Sequence, residues 1–137
     1  MTACPRDSRA KIGAPAEVMT YRVLVGFSGE THLSWLRCLR PGFRHCFAVV
    51  DIGGRWLLYD PASHQTRLQP VVAGGLAGVL RWLDASGVTV VCRRTAEAPR
   101  RTAPIRPYTC VEAVKRLLGI HAPRVHTPWQ LYVHLTK

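Results

Sequence analysis

The sequence predicts an α+β domain in which helices pack on a small antiparallel sheet. Short apolar runs typical of strands alternate with runs whose apolar residues recur at helical spacing. The pair Gly53-Gly54 joins two of the strand-like runs, and glycine readily adopts the positive φ that a two-residue hairpin turn needs. The chain has 137 residues, of which 47% are apolar, so it is long enough to bury one core.

The first elements follow in chain order. Residues 1–18 are polar and rich in Pro and Ala, which predicts a flexible basic arm, and 19–137 are predicted to form a single domain. YRVLVGF (21–27) is predicted to be a strand. THLSWLRCLR (31–40) has leucines at helical spacing and is predicted to be a helix that ends before Pro41-Gly42.

The central elements are predicted to be mainly strands. HCFAVVDI and RWLLYD flank Gly53-Gly54 and form the hairpin. TRLQPVV is predicted to be a short edge strand, because Pro70 has no N–H to donate to a ladder and is therefore suited to an edge. GGLAGVLRWLDASG is predicted to be a helix closed by Gly87, and VTVVCRR (88–94) a strand.

Two helices are predicted near the C-terminal end. CVEAVKRLLG is amphipathic and ends at Gly119. TPWQLYVHL begins with Thr127 as N-cap, Pro128 in the first helical position and Gln130 as the capping-box partner.

The hairpin carries polar residues with a possible chemical role. If Gly53-Gly54 is the turn, Asp60 lies opposite position 47, so it is a near-diagonal neighbour of His45. A carboxylate beside a histidine fixes the imidazole tautomer and stabilises its cation, which a general base requires. The alternative is a surface histidine and an aspartate that begins a turn in the "DP" sequence.

A candidate nucleophile lies further along the chain. Cys110 falls in the first turn of a predicted helix, where unpaired N–H groups and the helix dipole favour a thiolate. A cysteine at a helix start, a histidine on a strand and a polar residue on the next strand form a papain-like arrangement. We therefore predict that Cys110, His45 and Asp60 cluster.

These motifs resemble known enzymes. HCFAVVDIGGRWLLYDP is similar to the His-to-Asp strand pair of transglutaminase-like and NlpC-type papain-fold enzymes, and TCVEAVKRLLGI is similar to their cysteine helix. Because the histidine precedes the cysteine, the order resembles the circularly permuted NlpC-type group, which includes lecithin:retinol acyltransferase-like proteins and YaeF/YiiX-like hydrolases. W-L-x-x-L-x-P-G-F-R-H-C and T-P-W-Q-L-Y also resemble small proteins of tailed phages and proteobacterial prophages.

The resemblance covers about residues 20–135 and implies a permuted papain-like fold. It implies Cys110 as nucleophile, His45 as base and Asp60 as the residue that orients the base, with His64 as the second choice for that last role. Cys46 would face the opposite side of its strand from His45. The acyltransferases' N-C-E-H motif is missing, so the resemblance does not define the substrate.

The net charge of +11 indicates an anionic partner. The candidate partner-binding residues lie between positions 93 and 106 and are Arg93, Arg94, Arg100, Arg101 and Arg106. Nucleic acid, an anionic envelope polymer or an acidic protein are possible partners, and a solvated basic loop is the alternative. Because this loop leads into the cysteine helix, we expect it to lie beside the proposed site.

The remaining polar groups and thiols are assigned structural roles. His121 and His126 lack a neighbouring carboxylate or cysteine cluster, so no metal and no cofactor are expected. Glu112 with Lys115 or Arg116 is predicted to be a surface pair. No two of the five cysteines have CxxC spacing, which indicates reduced thiols. Except for Cys110, each is predicted to be a small buried residue.

Two classes of function are compatible with these observations. The first is a cysteine hydrolase or acyltransferase acting on an amide or ester in a peptide or acyl substrate, with a cell-wall peptide as one candidate. The second is a non-catalytic virion or structural protein that binds a phage protein or nucleic acid through its basic surface. No apolar run is long enough to span a membrane and no secretory signal is recognised, so we expect a cytoplasmic or virion-associated protein.

Overall fold

A computed structural model describes residues 20–30, 38–62, 64–97 and 107–137. The predicted arm, most of the predicted helix at 31–40 and three of the candidate partner-binding arginines lie outside these ranges. Those arginines are Arg100, Arg101 and Arg106.

A five-stranded sheet with every neighbouring pair antiparallel forms the centre of the fold. The strand order is β4-β3-β2-β1-β5. The strands are β1 (Arg22–Ser28), β2 (His45–Ile52), β3 (Arg55–Pro61), β4 (Thr66–Val71) and β5 (Thr89–Arg94). The helices are α1 (Gly75–Ala85), α2 (Cys110–Leu118) and α3 (Pro128–Thr136). The predicted α+β class is confirmed, and β4 is an edge strand as predicted.

The β2–β3 hairpin turns at Gly53 and Gly54, with φ angles of 61° and 85°. Two successive positive φ angles define a two-residue turn whose twist matches that of the flanking strands. The ladder pairs Ile52 with Arg55 and continues to Ala48 opposite Tyr59. The predicted register of this hairpin is therefore confirmed.

Successive side chains along each strand point to opposite faces of the sheet and belong to two apolar cores, one on each face. Helices α2 and α3 cover one face, and α1 covers the other. The first core includes Val23, Val25, Phe27, Cys46, Ala48, Val111, Val114, Leu118, Leu131 and Leu135. The second includes Leu24, Val49, Trp56, Val79 and Leu83. Neighbouring residues of β2 thus face opposite cores.

Side chains at the helix ends satisfy N–H groups that have no partner within the helix. Thr109 precedes α2 and accepts a hydrogen bond from the Glu112 N–H. Thr127 and Gln130 form the predicted capping box of α3. Gly119 ends α2 in the left-handed conformation, with φ of 70°. The predicted end of α2 at Gly119 and the predicted start of α3 at Thr127 are confirmed.

The ion pair in α2 is buried, so its predicted surface position is wrong. The Lys115 Nζ lies 2.5 Å from the Glu112 Oε1, and both residues are less than 10% exposed. The same ammonium donates to the carbonyl oxygens of Ala122 and Val125, each at 2.9 Å. Lys115 therefore fixes the α2–α3 connection from inside.

Two cysteines also depart from the prediction. Cys38 and Cys92 are exposed, whereas Cys46 is fully buried and Cys110 is partly buried. Cys92 is exposed because it lies on the edge strand β5, next to β1 alone. The four thiols in the described part of the chain are free, as predicted.

Candidate active site

His45 and Asp60 meet at the open end of the β2–β3 hairpin. Extending the register one residue beyond Ala48 and Tyr59 brings Asp60 opposite Phe47, so Asp60 shares a face with His45. The His45 Nε2 lies 2.7 Å from the Asp60 Oδ1. This distance and the buried carboxylate make it a short, charge-assisted hydrogen bond.

The second carboxylate oxygen of Asp60 accepts a hydrogen bond from Arg67. The Arg67 Nη2 lies 2.6 Å from Oδ2, and Arg67 is the cross-strand neighbour of Asp60 on β4. Burial alone would raise the pKa of the Asp60 carboxyl, but the hydrogen bonds and charges of His45 and Arg67 outweigh it and lower that pKa. Asp60 therefore stays ionised beside the imidazole.

Sequence reasoning did not identify Arg67. The signal was available, because the strand after the short connection that follows Asp60 must return alongside it. In the structure the Ala62 N–H donates to the Gln65 carbonyl oxygen at 2.9 Å, which makes the return tight. After so short a return, Arg67 on the following strand is a candidate cross-strand partner of Asp60.

Cys110 is the first residue of α2, directly after the N-cap Thr109. Its side chain packs against the core between the sheet and helices α2 and α3, and it hydrogen-bonds the His45 ring. Because Nε2 of His45 is engaged by Asp60, Nδ1 is the ring nitrogen that remains for the thiol. The structure therefore brings together all three residues of the predicted cluster.

Helix α2 is held at this position by contacts on both sides of Cys110. The Tyr108 hydroxyl lies 3.2 Å from the Tyr59 hydroxyl on β3, and the Arg116 guanidinium lies 5.0 Å from the centre of the Tyr108 ring. The buried Lys115 holds the following loop. The start of α2 is thereby fixed against the ends of the strands.

Cys46 supplies further hydrogen bonds to the Cys110 sulfur. The pKa of Cys110 is lowered to about 5, and the largest cause is the hydrogen bond from the Cys46 thiol. Burial opposes this, while the His45 ring and the Cys46 backbone N–H add to the lowering. The pKa of Cys46 is raised well above its ordinary value, first by complete burial and then by the neighbouring Cys110. Cys46 therefore remains a neutral donor next to a thiolate.

The His45 imidazolium completes an ion pair with Cys110. Burial by itself would lower the pKa of His45, but the hydrogen bonds to Cys110 and Asp60 reverse that effect, so its pKa is raised from 6.5. At pH values between the two pKa values, the sulfur is negative and the ring is positive. A preformed thiolate–imidazolium pair is the reactive state of a catalytic cysteine.

The three residues lie in a groove of about 990 Å³. One wall is apolar and includes Phe47, Leu58, Trp82 and Val88 from the α1 face of the sheet and its surroundings. Phe47 stacks on the His45 ring with centroids 6.4 Å apart. It lies flat across Gly26, where an added Cβ would be only 2.5 Å from its ring. The groove thus combines an apolar wall with a polar, reactive end.

The other candidate residues take no part in this cluster. His64 lines the groove, but Asp60 occupies the position beside His45. Arg93 and Arg94 lie opposite Val23 and Arg22, at the end of the sheet away from His45, which pairs with Ser28. The expectation that the loop as a whole adjoins the site is therefore wrong for these two arginines, because β5 carries them the length of β1. Within the described ranges, no group of three His, Cys, Asp or Glu side chains is arranged to hold a metal ion.

Comparison of the chain with protein-family models, with curated proteins and with solved structures gave no match. Among the described residues, no helix has the length and apolar character needed to cross a membrane.

Proposed function

We propose that the protein is a cysteine hydrolase that cleaves an amide or ester bond in a peptide or acyl substrate. The observation that carries this proposal is the connected line of Cys110, His45 and Asp60 at the end of a groove. The antiparallel sheet and the cysteine helix are compatible with the permuted papain-like arrangement, which we retain as part of the proposal.

The proposed reaction begins with attack of the Cys110 sulfur on the substrate carbonyl carbon. The N–H groups in the first turn of α2 have no partner within the helix by position, so the Cys110 N–H is available to the oxyanion. His45 then gives its proton to the leaving amine or alcohol, which produces a thioester on Cys110. Asp60 stabilises the imidazolium before this step and holds the ring in one tautomer.

The second half of the reaction releases the acyl group. Neutral His45 takes a proton from a water molecule, and the resulting hydroxide attacks the thioester carbonyl. The sulfur leaves as a thiolate, which the Cys46 hydrogen bonds stabilise. The rate should therefore rise with pH as Cys110 ionises around its pKa of about 5 and fall as the imidazolium is lost above the raised His45 pKa.

The apolar wall favours substrates with an apolar group next to the scissile carbonyl. Phe47 and Leu58 are only half-buried, and Trp82 is 41% exposed, so an apolar substrate group would remove their surface from water. A tailed phage or prophage enzyme acting on a cell-wall peptide fits this chemistry and the resemblance of the motifs.

One observation favours the second candidate function, a virion or structural protein that binds an anionic partner. Arg22, Arg93 and Arg94 occupy neighbouring positions at the end of the sheet away from the site, and Arg93 and Arg94 are exposed. A phage protein with an acidic surface or a nucleic acid could bind there, and the binding should weaken steeply with salt if the partner is nucleic acid.

Hydrolysis of p-nitrophenyl acetate and octanoate, together with a panel of N-acyl peptide amides, tests the proposed enzyme. Wild-type protein should release the leaving group with a transient mass increase equal to the acyl group on Cys110. Cys110→Ala should show neither, and Cys92→Ala, which removes an exposed thiol, should match wild type. Acylation of another residue, or hydrolysis by Cys110→Ala at the wild-type rate, would contradict the proposed role of this site.

A further inference from the structure

Cys46 and Cys110 form a pair of thiols at the site, and hydrolysis uses the hydrogen bonds between them but no redox chemistry. Cys46 lies on β2 opposite Phe27, on the face of the sheet that α2 covers. Cys110 begins α2 and packs against the same core. Both the thiol and the backbone N–H of Cys46 hydrogen-bond the Cys110 sulfur. Two reduced cysteines are therefore in direct contact, one in each of two packed elements.

The two thiols differ in the properties that an attacking and a resolving cysteine require. Cys110 lines the groove and carries the lowered pKa, so small solutes reach a thiolate there. Cys46 is 0% exposed and reaches no solute directly. An accessible thiolate beside a second cysteine is the arrangement typical of redox-sensitive sites.

We propose that Cys110 and Cys46 are the attacking and resolving cysteines of a hydroperoxide-sensitive site that closes into a reversible disulfide. In the first step the Cys110 sulfur attacks the terminal oxygen of the hydroperoxide. An S–O bond forms, the O–O bond breaks, and the departing oxygen takes a proton from the His45 imidazolium to leave as an alcohol or as water. The sulfur loses two electrons and the peroxide gains them.

In the second step the Cys46 sulfur attacks the sulfenic sulfur of Cys110. An S–S bond forms, the S–O bond breaks, and the hydroxyl leaves as water with the proton of the Cys46 thiol. Two thiols and one hydroperoxide thus give a disulfide, one alcohol and one water. Once Cys110 is sulfenic, it carries no negative charge, so the part of the pKa elevation of Cys46 that comes from Cys110 disappears. Formation of the disulfide removes the sulfenic acid and so limits further oxidation by a second peroxide.

Intact mass and non-reducing peptide mapping after hydrogen peroxide treatment test this proposal. The variant Cys4→Ser/Cys38→Ser/Cys92→Ser leaves only the two cysteines of the pair and serves as the parent. One equivalent of peroxide should lower its mass by about 2 Da and join the peptides of Cys46 and Cys110, and dithiothreitol should restore it. Wild-type protein should give the same cross-linked peptides.

The matched control is Cys46→Ala in the same parent, with Cys46→Ser as a second variant if the first does not fold. Without a resolving thiol, Cys110 should gain about 16 and then about 32 Da and become resistant to dithiothreitol, with sulfinic acid appearing about tenfold faster than in the parent. Equal rates of sulfinic acid formation in parent and control, or a disulfide to Cys38 or Cys92 in wild type, would overturn the proposal. Because the readout is mass, it stands whether or not the protein hydrolyses any substrate.

Discussion

Replacing Cys46 with Ala should raise the pH at which Cys110 becomes reactive. The substitution removes the thiol donor but keeps the backbone N–H, so it isolates the hydrogen bond that contributes most to the lowered pKa of Cys110. A hydrogen bond to a charged group contributes about 1.5 kcal/mol at the lower end of its range, and a thiol is a weak donor. That energy corresponds to about one pH unit. The inflection of the alkylation rate should move from about 5 in wild type to about 6.

The assay is the rate of iodoacetamide labelling of Cys110 from pH 4 to 9, compared with a small cysteine peptide. At pH 6 a thiol of pKa 5 is about 300 times more ionised than one of pKa 8.5, an ordinary thiol. Thiolates of lower pKa are weaker nucleophiles, here by about 40-fold. Cys110 should therefore react about 8 times faster than the peptide at pH 6 and about 10 times more slowly at pH 8. The position of the inflection, more than the rate at neutral pH, identifies an activated thiol.

Two results would refute this reasoning. A wild-type inflection at about 8.5 or above would mean that Cys110 is an ordinary thiol. An unchanged inflection in a folded Cys46→Ala protein would mean that the Cys46 thiol does not stabilise the thiolate. Cys92→Ala is the matched control, because it removes an exposed thiol on β5 away from the core. Its inflection for Cys110 should equal that of wild type.

Three further sets of substitutions test the surrounding structure. In Asp60→Asn the amide oxygen can still accept a hydrogen bond from the imidazole, but the negative charge is lost. The alkaline limb of the pH–rate profile should therefore move to lower pH. Asp60→Ala removes the acceptor as well and should also lower kcat/KM by about 100-fold or more. Lys115→Met should cost about 3–5 kcal/mol in denaturant unfolding because it removes the ammonium beside the buried Glu112 carboxylate, and Glu112→Gln combined with Lys115→Met should cost less; equal losses would contradict this. Gly26→Ala should lower the free energy of unfolding by about 1–3 kcal/mol, because its Cβ displaces the Phe47 ring; an unaltered thermal midpoint would show that the ring moves without cost.

The sequence determined most of the sheet because its signals are local. The Gly53-Gly54 turn sets the hairpin register, and that register brings His45 and Asp60 onto one face. The capping residues mark the starts of α2 and α3 in the same way. Each of these features depends on residues within a few positions of one another or on strict alternation along a strand.

The features that were missed depend on packing between distant elements. Whether Lys115 is exposed depends on the loop between α2 and α3, which folds over its ammonium and offers two carbonyl oxygens. The contact between Cys46 and Cys110 depends on which face of the sheet α2 covers. The position of Arg93 and Arg94 depends on β5 pairing beside β1, since that pairing carries them away from His45. Alternation and spacing along the chain do not contain this information.

The open end of the β2–β3 hairpin explains why the Cys46 N–H can donate a hydrogen bond to the Cys110 sulfur on α2. Hydrogen-bonded pairs recur at every second residue from a two-residue turn, and the last pair of the ladder is Ala48 with Tyr59. The next such pair would join Cys46 and Pro61. Proline has no N–H, so that pair cannot exchange both of its hydrogen bonds. The Cys46 carbonyl oxygen therefore has no donor in that pair, and the Cys46 N–H points at the Cys110 sulfur instead of the Pro61 carbonyl. The proline after the aspartate in "DP" thus removes one of the two hydrogen bonds of the next β2–β3 pair, at the place where the Cys46 N–H donates to the thiolate.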